Sequence, residues 1–269
     1  MTTLTPSLRP RSTERPRLTF GTTMASEWKK LLTVRSTVYS AVTLVFLAVA
    51  MVAIVALSYE PVTSATHPQE LVGPSLAAGV SFSQLVMGIL AVLIVTSEYT
   101  TGLIQSTLVS NPRRLSVLAA KAVVACVTAI VLGVVSWGLS ALIGLPIFES
   151  KGYHASLTDP YVLGGLGTTV LYLFVVALFG VFVGSIVRSN AAGIAIVVGV
   201  LFVLPIIGNF LPESIDAAKY LVSDSTQTLA LALCDDVYRK HVPEALVVTL
   251  SWLVVSGIGA VVLLRKRDV

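Results

Sequence analysis

The fold class that this sequence predicts is an all-α integral membrane protein with six transmembrane helices, and three observations predict it. Six charge-free runs, residues 38–57, 76–96, 122–148, 162–187, 191–211 and 245–264, are each apolar over 20 residues or more. At ~1.5 Å of rise per helical residue, about 20 residues match the ~30 Å hydrocarbon core of a bilayer. Composition agrees: 55% of residues are hydrophobic and 12% charged, with mean hydropathy +0.89, against roughly 25% charged in an average soluble domain. The third observation is that Lys and Arg are segregated between alternate connections.

Seven basic residues precede the first run, Arg113, Arg114 and Lys121 lie between the second and third, Arg188 follows the fourth, and Arg265, Lys266 and Arg267 close the chain, fourteen in all. The other three connections hold Lys151, Lys219, Arg239 and Lys240, four in all. By the positive-inside rule both termini are expected in the cytoplasm of a multi-pass cell-membrane protein, as an even number of spans requires. The basic residues are not gathered with aromatics into one folded patch, so no nucleic-acid partner is expected.

Residues 1–23, rich in Thr, Ser, Pro and Arg, read as a flexible cytoplasmic tail ahead of a six-span domain at 24–269. In residues 24–35, MASEWKKLLTVR, Met24, Trp28, Leu31 and Leu32 share one helical face, with Ser26, Lys29, Lys30 and Thr33 opposite. A short basic amphipathic helix with Trp on its apolar side lies in the membrane interface. An interfacial helix over 24–35 is therefore expected, with a plain extension of the first span as the alternative. The first apolar run starts at position 38 and is 20 residues long, which is too far along and too long for a signal peptide.

The connection at 97–121, SEYTTGLIQSTLVSNPRRLSVLAAK, reads as a break, a short helix, a stop and a restart. Glu98 marks where the second span leaves the hydrocarbon, and Gly102 weakens helix continuity by ~1 kcal/mol relative to Ala. Leu103, Ile104 and Leu108 form an apolar cluster too short to span anything. Pro112 holds Asn111 out of the helical region and suits the first position of the next helix. Arg113 and Arg114 at that restart oppose the helix dipole, so they serve topology and anionic lipid, or else an acidic partner surface. Residues 212–244 form a long external connection with helical character at 217–222 and 225–233, either a solvated loop or a re-entrant, membrane-hugging segment.

None of the six runs contains Asp, Glu, Lys, Arg or His. Ion-coupled transport and proton relays place ionisable groups at depth, and intramembrane proteolysis needs His or Glu there, so both are disfavoured. The polar residues within the runs include Gln84, Ser136, Ser140 and Asn209, candidates for a translocation path; Gln84 is the costliest to expose to lipid and should face protein or a cavity. Gly180 and Gly184 form a GxxxG pair that favours close helix packing within the bundle over dimerisation. Cys126 and Cys234 fall on opposite sides of the membrane in this topology, which excludes a disulfide between them.

The stretches SEWKKLLTVRSTVYS (26–40) and SEYTTGLIQSTLVSNPRR (97–114), with the six-span layout, resemble the permease subunits of type-2 ABC transporters, mostly bacterial exporters. The resemblance covers nearly the whole chain, and Glu-Tyr-Thr-Thr-Gly at 98–102 is its specific part. It implies an interfacial elbow helix carrying Trp28, Leu31, Leu32 and Arg35, and a coupling segment at 97–116 that docks on a separate ATPase. The docking residues it implies are Tyr99, Thr100, Thr101, Gly102, Leu103, Ile104, Gln105, Leu108, Arg113 and Arg114. Many relatives carry a basic residue where this chain has Gln105. No GxxxxGK[ST] phosphate-binding loop occurs in the sequence, so ATP and Mg are expected on partner ABC ATPase subunits and the chain itself is not expected to be an enzyme. A second permease subunit, identical or related, and membrane lipids are the other expected partners. The uncharged interior favours an amphipathic or hydrophobic cargo. The alternative is a polytopic scaffold or sensor without transport.

Overall fold

In hydrocarbon only a helix satisfies all of its own backbone N–H and C=O groups within one segment. In the computed structural model, which describes residues 19–61, 69–102, 114–208, 210, 218–233 and 236–266, the regular structure is accordingly helical, with no strand among the described residues. Six stretches, Arg35–Ser58, Leu71–Thr100, Leu115–Ser150, Pro160–Val187, Asn190–Gly208 and Val242–Lys266, are long and apolar enough to cross a membrane.

Helix α1 spans Phe20–Thr33, starting four residues before the amphipathic pattern alone indicates, because Thr19 and Thr22 form a reciprocal capping box. Val34 leaves the helical region (ψ 115°) and α2 follows at Arg35–Ser58. The second span is broken: α3 covers Gln69–Ala77, Ala78 and Gly79 turn, and α4 covers Val80–Thr100. Helix α5, Arg114–Ser150, is continuous over 37 residues and begins well before the apolar run, so Lys121 lies inside the helix, in its third turn. Helix α6, Pro160–Val187, starts with Pro160 at its first turn and Asp159 accepting the Tyr161 N–H at 3.0 Å. In the fifth span, α7 (Asn190–Val198) passes through a π-helical stretch, Gly199–Val203, into α8 (Leu204–Gly208); the widened turn falls just before Pro205, which has no N–H to donate.

Between the last two spans come a 3₁₀ turn at Ala218–Tyr220, α9 (Val222–Leu231) and the short α10 (Asp236–Arg239). Helix α11, Val242–Lys266, completes the fold. Helix α9 packs on α6 and α11, burying Val222, Ser223, Ser225, Thr226 and Ala230. The 212–244 connection is thus docked on the bundle over this helix.

Helix α6 is the centre of the bundle, with α3, α4, α5, α9 and α11 packed around it. Within the spans, 61% of the α6 window is buried against 22%, 17% and 17% for the first, fifth and sixth, so those three form the periphery. Their outward faces are apolar (Phe46, Ile54, Ile207, Val255 and Ile258 are exposed), as a lipid-facing surface requires. The Gly180–Gly184 pair packs within the bundle: a Cβ at Gly180 would lie 2.7 Å from Ala91 Cβ, and one at Gly184 3.2 Å from Val92 O, so small residues bring α6 and α4 into backbone contact.

Candidate functional site

Helix α1 turns one polar stripe inward, while Ser26, Lys29 and Thr33 stay exposed. Thr23 and Glu27 are buried, and Lys30 completes the same stripe at spacings of four and three. Phe20, Met24 and Leu32 are exposed, and Trp28 and Leu31 are half-buried. The exposed surface of α1 thus carries Phe20, Met24 and Leu32 beside Ser26, Lys29 and Thr33.

The inward face meets the C-terminal end of α4 and the start of α5 in a cluster of four charges. Lys30 Nζ lies 2.7 Å from Glu27 Oε1 and 2.6 Å from Glu98 Oε1, and Lys121 Nζ lies 2.7 Å from Glu27 Oε2 and 3.0 Å from Glu98 Oε1. Lys121 also donates to the carbonyl of Ile94 at 3.1 Å. Glu27, Glu98 and Lys121 are 4%, 5% and 3% exposed, so three of the four have left water. Two acids and two bases cancel, which is what makes the burial tolerable, since a lone buried charge costs several kcal/mol. Burial lowers the Lys30 ammonium's pKa, but hydrogen bonds to Glu27 and Glu98 and their charges outweigh that and raise it above the ordinary lysine value.

The two residues after Glu98 hold other elements. The Arg188 guanidinium sits over the Tyr99 ring, 5.3 Å from its centre, and Arg188 Nη2 reaches the Leu263 carbonyl of α11 at 3.5 Å. Arg188 ends α6 in the left-handed region (φ 58°), a conformation rare outside glycine that lets the chain turn directly into α7. Thr100 Oγ1 donates to Asn190 Oδ1 at 3.1 Å, at the first residue of α7. Gly102 (φ 70°) then terminates the second span. Glu98, Tyr99 and Thr100 therefore join α1, α5, the α6–α7 turn and, through Arg188, α11.

Of the residues expected to dock an ATPase, Tyr99 and Thr100 belong to this junction, Thr101 is exposed with its hydroxyl on the Ser97 carbonyl at 2.8 Å, and Gly102 is exposed. Leu103, Ile104, Gln105, Leu108 and Arg113 lie outside the described residues, and Arg114 opens α5. Arg35 is exposed at the start of α2.

Gln84 is buried, accepts the Tyr172 hydroxyl at 2.7 Å, donates to the Ser81 carbonyl at 3.0 Å, and lines a cavity of about 70 Å³ with Thr168 and Gln227. Of the expected translocation residues that are described, Gln84 alone lines this cavity. Ser136, which donates to the Gly133 carbonyl at 3.2 Å, and Ser140 are buried within α5 away from that cavity's lining. Asn209 and Cys234 lie outside the described residues, and Cys126 is a half-buried free thiol.

Sequence reasoning missed Glu27 and gave Lys30 a place opposite the apolar face but no partner, because the apolar spacing of Met24, Trp28 and Leu31 alone set the helix faces. The available signal was Glu27 three residues before Lys30, on a helix ahead of a span whose neighbours carry Glu98 and Lys121. Among the described residues no group of three or more His, Cys, Asp or Glu is placed to hold a metal ion.

The profile of a family described as a protein of unknown function, DUF2705, matches residues 75–269. The chain belongs to the DUF2705 family. No curated protein matches it. The DUF2705 region contains Glu98, Tyr99, Thr100, Lys121, Arg188 and Asn190, whereas Glu27 and Lys30, which complete the charge cluster, precede it.

Proposed function

We propose that this chain is the membrane-spanning subunit of an ATP-driven transporter of the type-2 ABC class, one of a pair of permeases exporting an amphipathic or hydrophobic substrate. In this reading a separate ATPase, which carries ATP and Mg, docks on the segment after Gly102. Both termini face the cytoplasm of the cell membrane, and α1 is an elbow helix seated in the interface by Phe20, Met24, Trp28 and Leu32.

One observation carries the reading. Three consecutive residues at the end of the second span each grip a different element: Glu98 the α1–α5 pair, Tyr99 the Arg188 turn and Thr100 the start of α7. A force applied to residues 103–113 enters the bundle at this junction and reaches five helices together. Such a junction stabilises the bundle, and it is also what a lever needs to move several helices together. The charge-free runs support the cargo class, since no ionisable side chain lies within them to bind a bare ion.

The test is purification of the full-length chain from its native membrane in mild detergent, with identification of what accompanies it. The expected companion is an ATPase with a phosphate-binding loop, together with vanadate-sensitive ATP hydrolysis by the complex. Recovery of the chain with signalling or scaffold proteins and without an ATPase would contradict the proposal.

A further inference from the structure

The second span breaks near its N-terminal end, and the cavity of about 70 Å³ that Gln84 lines lies at the break. Across Ala78 and Gly79 the backbone makes bonds of the shorter, three-residue kind: the Ala78 N–H donates to the Ser75 carbonyl at 3.2 Å, and the Ser81 N–H to the Ala78 carbonyl at 3.2 Å. At membrane depth an interrupted helical ladder is tolerated only where it is buried in protein or borders water. Ala77 and Ala78 border the cavity from the break, Thr168 and Tyr172 from α6, and Gln227 from α9.

The lining is graded by burial. Gln84, Thr168 and Tyr172 are 8%, 3% and 3% exposed and form the floor, whereas Ser81 and Gln227 are exposed and stand at the mouth. Thr168 donates to the Ala230 carbonyl at 2.7 Å. The other two floor residues keep hydrogen-bonding capacity in reserve. A glutamine amide has two N–H donors and two acceptor lone pairs. Gln84 uses one of each, accepting from the Tyr172 hydroxyl at 2.7 Å and donating to the Ser81 carbonyl at 3.0 Å. One N–H and one lone pair of Gln84 are left without a partner among the described residues, and the Tyr172 oxygen, having given its proton to Gln84, still has lone pairs to offer. No residue of the lining is charged, so an ion would find no counter-charge there, and an apolar group would leave these polar atoms unpaired.

We propose that this cavity is a water site, in which about two molecules, at the ~30 Å³ that each occupies in the liquid, complete the hydrogen bonds of Gln84 and Tyr172 and hydrate the break between α3 and α4. Water donates and accepts, so it serves the free N–H and the free lone pairs together. A buried water is held by about two to four polar partners, and Gln84, Tyr172, Ser81 and Gln227 supply them. The site is independent of what docks after Gly102.

The test is X-ray radiolytic footprinting of the full-length chain in lipid nanodiscs, with the oxidised residues located by mass spectrometry. The radicals form from water where it stands, so a buried ring is hydroxylated only where water touches it. Tyr172 is expected to be hydroxylated, while Phe148, a ring at 0% exposure that lies away from the cavity, stays unmodified. The Gln84→Leu, Tyr172→Phe double variant keeps the room but removes the groups with unused hydrogen bonds, and an apolar cavity stays dry. The ring at position 172 is expected to lose its label in that variant, with Phe148 still protected. A Tyr172 as unreactive as Phe148 in the wild-type chain, or a label at position 172 that survives the double substitution, would overturn the proposal.

Discussion

Glu27 Oε2 and Lys121 Nζ lie 2.7 Å apart although 94 residues separate them in sequence. The pair ties a helix that precedes the first span to the helix that forms the third, and Glu98 and Lys30 close the circuit. Removing one member of such a buried set leaves its partner charged and out of water, which typically destabilises by about 3–5 kcal/mol. Lys121→Met should therefore lower the thermal unfolding midpoint in detergent sharply. The Glu27→Gln, Lys121→Met double variant should lose much less than the sum of the two single ones. Additive losses would show that the two side chains do not act on each other.

The orientation of the bundle is tested by single cysteines in a background where Cys126 and Cys234 are Ser. Ser156→Cys, in the exposed connection between α5 and α6, should react with an impermeant maleimide in intact cells, and Ser106→Cys should react only after lysis. The reverse pattern would invert the topology.

Asp224 on α9 gives a pH dependence with a defined sign. Burial pushes its carboxyl above the ordinary range, against a weaker downward pull from the Ser223 hydroxyl at 3.3 Å, and the Tyr172 phenol faces it from α6. The folded protein binds this proton more tightly than the unfolded chain. The contribution is fully present below the ordinary carboxyl value of 3.8 and is lost as pH rises through the raised one. Asp224→Asn should raise the unfolding midpoint near neutral pH, with the gain shrinking as the pH falls toward 4. A gain independent of pH would show that the carboxylate is not the cause.

Much of the fold was legible because hydrocarbon leaves so few options. The runs at 38–57 and 162–187 contain no charge, and each lies inside a spanning helix. Gly180 and Gly184 likewise announced a close crossing, and α4 fills it. What could not be read was which charges near the span ends meet. Lys30, Glu98 and Lys121 satisfy the topological rule wherever they point, so the rule carries no sign of their mutual contact. Arg188 counted toward topology as one more basic residue, yet it lies against Tyr99 with Nε buried and without a hydrogen-bond partner among the described residues. The docking of α9 was left open between two readings, since its inward face mixes Ser223, Ser225 and Thr226 with Val222 and Ala230. Gln84 was correctly given a protein neighbour, but its partner Tyr172 was not identified, because a tyrosine in a span is compatible with many depths.

The central claim is that force enters through the segment after Gly102. Its most direct measurement is ATPase co-purification and ATP turnover for Leu103→Ser, Leu108→Ser compared with wild type at matched expression. The proposal predicts that this double variant inserts normally, loses the ATPase and shows no permease-stimulated turnover, while Arg113→Gln, Arg114→Gln retains more of both. Full retention of the ATPase with unchanged turnover in the leucine variant would contradict it.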